Sequence, residues 1–169
     1  AVVSHWTGDN TSLDAVGSNH ASLISGATYA AGQVNSAFSF DGVNDRVQVA
    51  DSPSLKLTHS LSIEAWVNCT SLPTEQSMIL FRGDDRSGLD PYVLNVKPDG
   101  TVRFEIASLT GGTGVQTRLP LNQFVHIAAT LDDATGEMDL YINAVLLAHT
   151  TTAVRPFANL DPNSSPGIG

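Results

Sequence analysis

The stretch Leu61-Ser62-Ile63-Glu64-Ala65-Trp66-Val67-Asn68 alternates between apolar residues at odd positions and polar or aromatic residues at even positions. Because successive side chains of a β-strand point to opposite faces, this period of two places the two sets on opposite faces of one strand. The odd-numbered face is apolar throughout, whereas the even-numbered face carries Glu64 and Trp66. The stretch therefore predicts a strand with one face in a hydrophobic core and a second face of mixed polar and aromatic character.

Alternation of the same kind recurs at residues 102–106 and 125–131, which predicts two further half-buried strands. Turn-forming sequences separate such segments at 41–42, 98–100, 111–114 and 134–137. No stretch of ten residues has an apolar period of 3.6, so we expect almost no helix. The remaining candidate strands are 37–40, 46–49, 78–82, 92–97, 115–119, 138–142 and 145–150, with 2–6 and 22–25 as weaker candidates. This spacing predicts an antiparallel sandwich or barrel.

Four stretches carry a resemblance to a known family. They are Ala31-Gly32 followed by 37–42 (Ala-Phe-Ser-Phe-Asp-Gly), 61–67, 124–128 (Phe-Val-His-Ile-Ala) and 136–143 (Gly-Glu-Met-Asp-Leu-Tyr-Ile-Asn). In this order and spacing the chain resembles the laminin G-like jelly rolls of the concanavalin A-like lectin and glucanase superfamily. The resemblance covers essentially all 169 residues. It implies an all-β fold, an antiparallel two-sheet jelly-roll sandwich, with one domain over residues 1–169.

The sequence departs from this family at two places. Ala144 follows Asn143 where the family usually has glycine, and a type I′ turn would need Ala144 at positive φ, so we expect a different turn. Family members usually continue past Gly169 into an acidic closing strand. Either the sequence is truncated or one strand position is vacant, and a vacant position would expose a sheet edge to a protein partner.

Composition narrows the classes of function. The chain has a formal net charge of −9 and a sequence pI of about 4.7, which disfavours nucleic acid as a partner. An acidic chain suits divalent cations and neutral glycans. No apolar run approaches the ~18–20 residues of a membrane span. Cys69 is the only cysteine, so no internal disulfide can form.

The polar faces of the predicted strands contain candidate carbohydrate-binding residues. Glycan sites combine aromatic rings for the C–H surface of a sugar with carboxylates, amides and arginine for its hydroxyls. The alternative is a solvated outer face, and the family pattern itself includes a tryptophan, a glutamate and a histidine at three of these positions, which suggests a scaffold role. The candidates are Trp66, Glu64, Arg103, His126 and Tyr141.

Two groups of aspartates are candidate calcium ligands, because calcium prefers six to eight oxygens from flexible, Asp-rich loops. The first group is Asp84, Asp85 and Asp90. In the related pentraxins, calcium ligands come from this loop position and from a second loop shortly after the position of Gly169, so these aspartates match the first set of ligands and the second set is absent from the sequence. The second group combines Asp9 and Asp41 with Asn10, Asp14 and Asp45. The alternative for the second group is that its members form turns.

Motifs for catalysis are absent from the sequence. The jelly-roll glucanases of this superfamily place acidic residues along one strand as Glu-x-Asp-x-x-Glu, and no such run is present. A Glu64–Glu105 pair across strands remains open. With these motifs absent, the resemblance implies a non-catalytic recognition module of a secreted or cell-surface protein, carbohydrate-binding and calcium-dependent. The alternatives are an adhesion or assembly domain that binds a protein at an open sheet edge and, more weakly, a glycan-cleaving enzyme.

Overall fold

The computed structural model describes residues 1–84, 90–161 and 167–169, and their regular structure is almost entirely β. The strands are β1 (Ala21–Ile24), β2 (Thr28–Ala31), β3 (Ser36–Ser39), β4 (Arg46–Ala50), β5 (Leu61–Asn68), β6 (Ser77–Gly83), β7 (Tyr92–Val96), β8 (Thr101–Ser108), β9 (Gly111–Arg118), β10 (Phe124–Leu131), β11 (Glu137–Ile142), β12 (Val145–Thr151) and β13 (Gly167–Ile168). One short 3₁₀ helix, Pro53–Leu55, lies between β4 and β5. Across the described ranges, no helix has the length and apolar character that a membrane crossing requires.

The larger of two compact units, Lys56–Pro166, is a sandwich of two antiparallel sheets. One sheet has the strand order β6-β7-β8-β9, and the other has the order β12-β11-β10-β5. Alternate residues of both sheets point inward and form one apolar layer, which includes Leu94, Phe104, Ile127 and Leu140. The expected all-β, two-sheet antiparallel architecture with almost no helix is confirmed.

The smaller unit, Ala1–Leu55 with Gly167–Gly169, contains a three-stranded sheet of order β1-β4-β13 and the separate hairpin β2–β3. Tyr29 and Phe38 pack across that hairpin with ring centroids 5.6 Å apart. The division of the chain into two compact units does not test the expectation of a single domain over 1–169, which stays a prediction.

Asp14 organises the first twenty residues of the smaller unit. Its buried carboxylate accepts hydrogen bonds from the backbone N–H groups of His5 at 2.9 Å, Val16 at 3.0 Å and Asn19 at 3.1 Å. Burial alone would raise the pKa of Asp14, but backbone hydrogen bonds, that from Gly17 foremost among them, outweigh it and hold the pKa well below its ordinary value. Asp14 is therefore a structural anchor, and its oxygens are committed to the backbone.

Three local expectations were wrong. Residues 111–114 form the start of β9 instead of a turn, because they pair with 105–108 of β8 and the turn falls at 109–110. The candidate strand 37–40 extends one residue too far, since β3 ends at Ser39 and Phe40, beyond it, is 52% exposed. We expected a turn that avoids positive φ at Ala144, but the β11–β12 turn places Asn143 and Ala144 at φ 50° and 65°, so alanine occupies the left-handed position where the family usually has glycine.

Candidate functional site

Four of the five predicted carbohydrate-binding residues lie together on the outer face of the β12-β11-β10-β5 sheet. Trp66 pairs with His126 across β5 and β10, and Glu64 pairs with Ala128. Ala128 in turn pairs with Tyr141 on β11. The small side chain of Ala128 therefore separates Glu64 from Tyr141 in one row across three strands. We call Glu64, Trp66, His126 and Tyr141 the platform.

The platform is open to solvent and internally ordered. Trp66 is 48% exposed, and the side chain of Glu64 is 63% exposed. The rings of Trp66 and His126 meet edge to face, with centroids 5.2 Å apart and an interplanar angle of 63°. His126 Nε2 lies 3.6 Å from Glu64 Oε2, which is within ion-pair range when the imidazole is protonated. These contacts place His126 between the exposed ring of Trp66 and the carboxylate of Glu64.

A chain of hydrogen bonds fixes Tyr141 at the other side of the platform. The Tyr141 hydroxyl donates to Asp139 Oδ2 at 3.0 Å, and His149 Nδ1 lies 2.6 Å from Asp139 Oδ1. The hydrogen bond to Asp139 raises the pKa of Tyr141 above its ordinary value, since it favours the protonated phenol. Asp139 and His149 were not among the predicted site residues, although alternation along β11 places Asp139 on the same face as Tyr141.

Arg103 lies elsewhere. It is on β8, in the other sheet, and its guanidinium is 2.7 Å from Glu105 Oε1. The apolar layer separates this outer face from the platform, so the five predicted residues do not form one site. For the same reason Glu64 and Glu105 point away from each other, and the pair of carboxyl groups considered for glycoside cleavage is not formed.

The outer face of the β6-β7-β8-β9 sheet is recessed. Val93 and Asn95 point outward from β7 but are 5% and 0% exposed. A cleft of about 250 Å³ opens over this region. Its described lining residues are Gln76, Asp90, Val93, Glu105, Ile106, Ala107 and Gly112. The cleft thus brings an amide and two carboxyl groups to a partly apolar floor.

Two features lie next to residues that line the cleft. Gly114 pairs with Glu105 across β9 and β8, and a Cβ at position 114 would lie 2.6 Å from Phe104 O and 2.8 Å from Glu105 Cγ. The absence of a side chain therefore leaves room for the Arg103–Glu105 pair. Asn95 neighbours Arg103 in the register, and neither amide atom of its buried side chain has a hydrogen-bond partner among the described residues.

The predicted calcium ligands are dispersed over the described residues. Asp84 is buried and accepts a hydrogen bond from Asp161 N at 2.7 Å, Asp90 lines the cleft, and Asp85 lies outside the described residues. Asp9 accepts hydrogen bonds from Ser36 N at 2.9 Å and from Asn35 Nδ2 at 3.3 Å.

Asp41, of the second group of predicted calcium ligands, accepts a hydrogen bond from Val43 N at 2.8 Å, as expected of a turn. Within 1–84, 90–161 and 167–169, no three His, Cys, Asp or Glu side chains are grouped so that they could hold a metal ion. Calcium binding stays a prediction.

Comparisons with known proteins show the family and the fold. A family model described as the concanavalin A-like lectin/glucanases superfamily, of laminin G type, matches residues 41–168. No curated protein matches the sequence significantly.

One similar solved structure is domain 4 of AbnA, a GH43 extracellular arabinanase from Geobacillus stearothermophilus, in complex with arabinotriose. Its TM-score is 0.71 and its identity 19%, over 98% of this chain and 88% of that one.

Two further structures share the fold at greater distance. The CBM40 of the Ruminococcus gnavus IT-sialidase, bound to α2,3-sialyllactose, has a TM-score of 0.55 and 15% identity over 68% of this chain and 64% of that one. An S-layer domain-containing protein from Clostridium thermocellum has a TM-score of 0.55 and 21% identity over 89% and 73%. With the family model spanning most of the sequence, the chain belongs to the concanavalin A-like lectin/glucanases superfamily, in its laminin G-like group.

Proposed function

We propose that this chain is a non-catalytic carbohydrate-binding module of a secreted or cell-surface protein, and that the cleft on the β6-β7-β8-β9 sheet holds the sugar. The cleft itself carries the proposal, because it is a concavity with a mainly polar lining in which the side chains of Gln76, Asp90 and Glu105 can meet sugar hydroxyls. The fold supports it, since similar structures include an arabinanase domain with arabinotriose and a sialidase CBM40 with sialyllactose.

The lining chemistry matches sugar hydroxyl groups. The Glu105 carboxylate accepts hydrogen bonds, while the amide of Gln76 both donates and accepts. The Arg103–Glu105 contact of 2.7 Å holds the carboxylate in one orientation. At about 250 Å³ the cleft is slightly smaller than the ~300–1,000 Å³ typical of drug-sized sites, so it suits a short saccharide or a chain end.

The placement of Glu64 and Glu105, the pair of carboxyl groups considered for cleavage, supports the non-catalytic part of the proposal. Glycoside hydrolysis needs two carboxyl groups that flank one bond, about 5–10 Å apart. Glu64 and Glu105 lie on opposite outer faces of the sandwich, so they cannot flank a common substrate.

The test of the proposal is isothermal titration of the purified chain with arabino-, xylo- and gluco-oligosaccharides and with sialyllactose. Glu105→Gln keeps the side-chain size and removes the charge, and we expect it to weaken binding roughly tenfold or more, since a hydrogen bond to a charged group contributes ~1.5–3 kcal/mol. Glu75→Gln, an exposed residue outside the cleft lining, is the matched control and should bind as the wild type. Equal affinities of the two variants would place the site elsewhere.

A second candidate function is protein assembly through β12. Three consecutive apolar residues of this strand, Val145, Leu146 and Leu147, are about half exposed, and β12 ends its sheet among the described strands. Exposed apolar edge strands pair readily with other chains. Sedimentation of the wild type against Leu147→Lys tests this function: a concentration-dependent oligomer that the substitution abolishes would support assembly, and a monomer at all concentrations would exclude self-assembly.

A further inference from the structure

We propose that the platform is a second carbohydrate-binding surface, one that binds the flat faces of a neutral polysaccharide chain. It lies on the sheet opposite the cleft, so this inference goes beyond the proposed function and stands on different residues.

The aromatic groups of the platform are placed for stacking along a chain. Trp66 lies on β5 and Tyr141 lies on β11, two strands away. Along the strand direction the two positions are offset by two residues. From the spacing of strands and residues in a sheet, their backbone positions are roughly 12 Å apart. On the strand between them lie His126, paired with Trp66, and the small side chain of Ala128, paired with Tyr141. Two separated sugars of one extended chain can therefore contact the two rings at once.

The orientation of both rings is set before any ligand arrives. His126 meets Trp66 edge to face, and Asp139 holds the Tyr141 hydroxyl at 3.0 Å. Ordering a side chain on binding costs free energy, so rings that are already ordered bind at a lower entropic cost.

The negative charge of the platform's sheet favours a neutral ligand. Strands β5, β10, β11 and β12 contain three carboxylates, Glu64, Glu137 and Asp139, and no lysine or arginine. An anionic polysaccharide would be repelled. An apolar protein surface would bury the Glu64 and Asp139 carboxylates without new partners, which is costly. A neutral sugar avoids both penalties, since its C–H face covers the rings while its hydroxyls donate to the carboxylates.

A consequence of two surfaces on opposite sheets is cross-linking. If the cleft and the platform each hold a sugar, one domain can join two polysaccharide chains. A polysaccharide chain that reached both surfaces would also bind more tightly than one bound at a single surface, because binding at the first surface raises the effective concentration of the chain at the second.

The experiment compares Trp66→Ala with Leu109→Ala, which also truncates an exposed apolar side chain to alanine, in the β8–β9 turn. Soluble linear arabinan, mixed-linkage β-glucan and xylan are the neutral probes, polygalacturonate is the anionic probe, and arabinotriose is the short one. Affinity electrophoresis and titration give the affinities, and light scattering gives cross-linking. Circular dichroism and melting of each variant show whether it is folded.

We expect Trp66→Ala to lower affinity for at least one neutral polysaccharide by about tenfold or more, as is typical for an aromatic anchor, and to abolish cross-linking. Trp66→Phe should recover part of the affinity, whereas Leu109→Ala should bind as the wild type. Neutral-polysaccharide affinity unchanged in folded Trp66→Ala would overturn the proposal, as would polygalacturonate binding as tight as that of the neutral probes.

The two proposals fail separately. Binding lost in Trp66→Ala but retained in Glu105→Gln would leave the platform as the site and refute the cleft. Binding lost only in Glu105→Gln would do the reverse, and a folded wild-type chain that binds no probe would refute both.

Discussion

Replacing Asp14 by alanine should cost the smaller unit a large part of its stability. The substitution removes a carboxylate that accepts backbone hydrogen bonds from His5, Val16 and Asn19 at 2.9, 3.0 and 3.1 Å. Hydrogen bonds to charged groups contribute ~1.5–3 kcal/mol each, but they are not additive and water can reach some of the freed donors. We therefore expect a loss of about 3 kcal/mol, against a total stability of ~5–15 kcal/mol for an ordinary domain.

The two tryptophans make this loss measurable in one unit at a time. Trp6 lies in the smaller unit, where its indole N–H donates to Asn19 O at 2.7 Å, and Trp66 lies in the larger unit. In a Trp66→Phe background, urea unfolding followed by fluorescence therefore reports on Trp6 alone. Asp41→Ala is the matched control, because Asp41 is exposed and accepts a single backbone hydrogen bond among the described residues, from Val43. We expect that control to cost less than about 1 kcal/mol.

The pH dependence supplies a second, independent readout. The pKa of Asp14 is lowered in the folded chain, so the unfolded chain binds the proton first as the pH falls. Its contribution to stability is thus fully present above the unfolded pKa, ~3.9, and is lost as the pH falls from there through the lower folded pKa. The alanine variant should lack this part of the acid sensitivity. Equal unfolding midpoints for Asp14→Ala and Asp41→Ala, or an unchanged acid profile, would refute the reasoning.

Three further predictions concern the cleft, the platform and calcium. Gly114→Ala should cost ~1–3 kcal/mol by overpacking and weaken binding at the cleft, whereas Gly111→Ala, with open space around its Cβ, should leave urea unfolding and titration unchanged. Tyr141 should ionise above its ordinary pKa in an absorbance titration, and Asp139→Asn should shift that titration downward, since the carboxylate is the main cause of the raised pKa. If Asp84 and Asp90 belong to a calcium site, calcium at a hundredfold excess over Kd should stabilise the chain by ~2.7 kcal/mol relative to chelator, and identical melts would count against the calcium hypothesis.

Much of the architecture was predictable because each sheet of the sandwich buries one face. Alternation at 61–68 and at 125–131 predicts strands whose odd-numbered residues enter the core, and β5 and β10 pair along their full length with those residues inside. The register then brings Trp66 beside His126 and Glu64 beside Ala128. Alternation along a strand identifies which of its residues point away from the core. Which of those residues become neighbours depends on the pairing of strands that are distant in sequence, and no local pattern encodes that pairing.

Other features depend on contacts that the sequence conceals. Arg103 faces away from the core, as alternation along β8 predicts, but nothing local shows that β8 belongs to the sheet opposite β5. The glycines of 111–114 suggested a turn by their usual preference, whereas at 114 the structure uses the missing Cβ for close packing against Phe104 and Glu105. Ala144 adopts positive φ because the β11–β12 turn requires it, at a cost that alanine pays and glycine would not.

The location of the cleft, in contrast, is indicated by the sequence of a single strand, β7. β7 has the sequence Tyr-Val-Leu-Asn-Val, which is nearly continuous in apolar residues, and all five of its residues are buried. A strand with only one face in the core alternates between apolar and polar residues, as β5 does. A strand that is covered on both faces can be apolar at every position. The loss of alternation at β7 therefore marks the sheet whose outer face is recessed. The polar exception is Asn95, whose buried side-chain amide has no hydrogen-bond partner among the described residues, an arrangement that costs free energy.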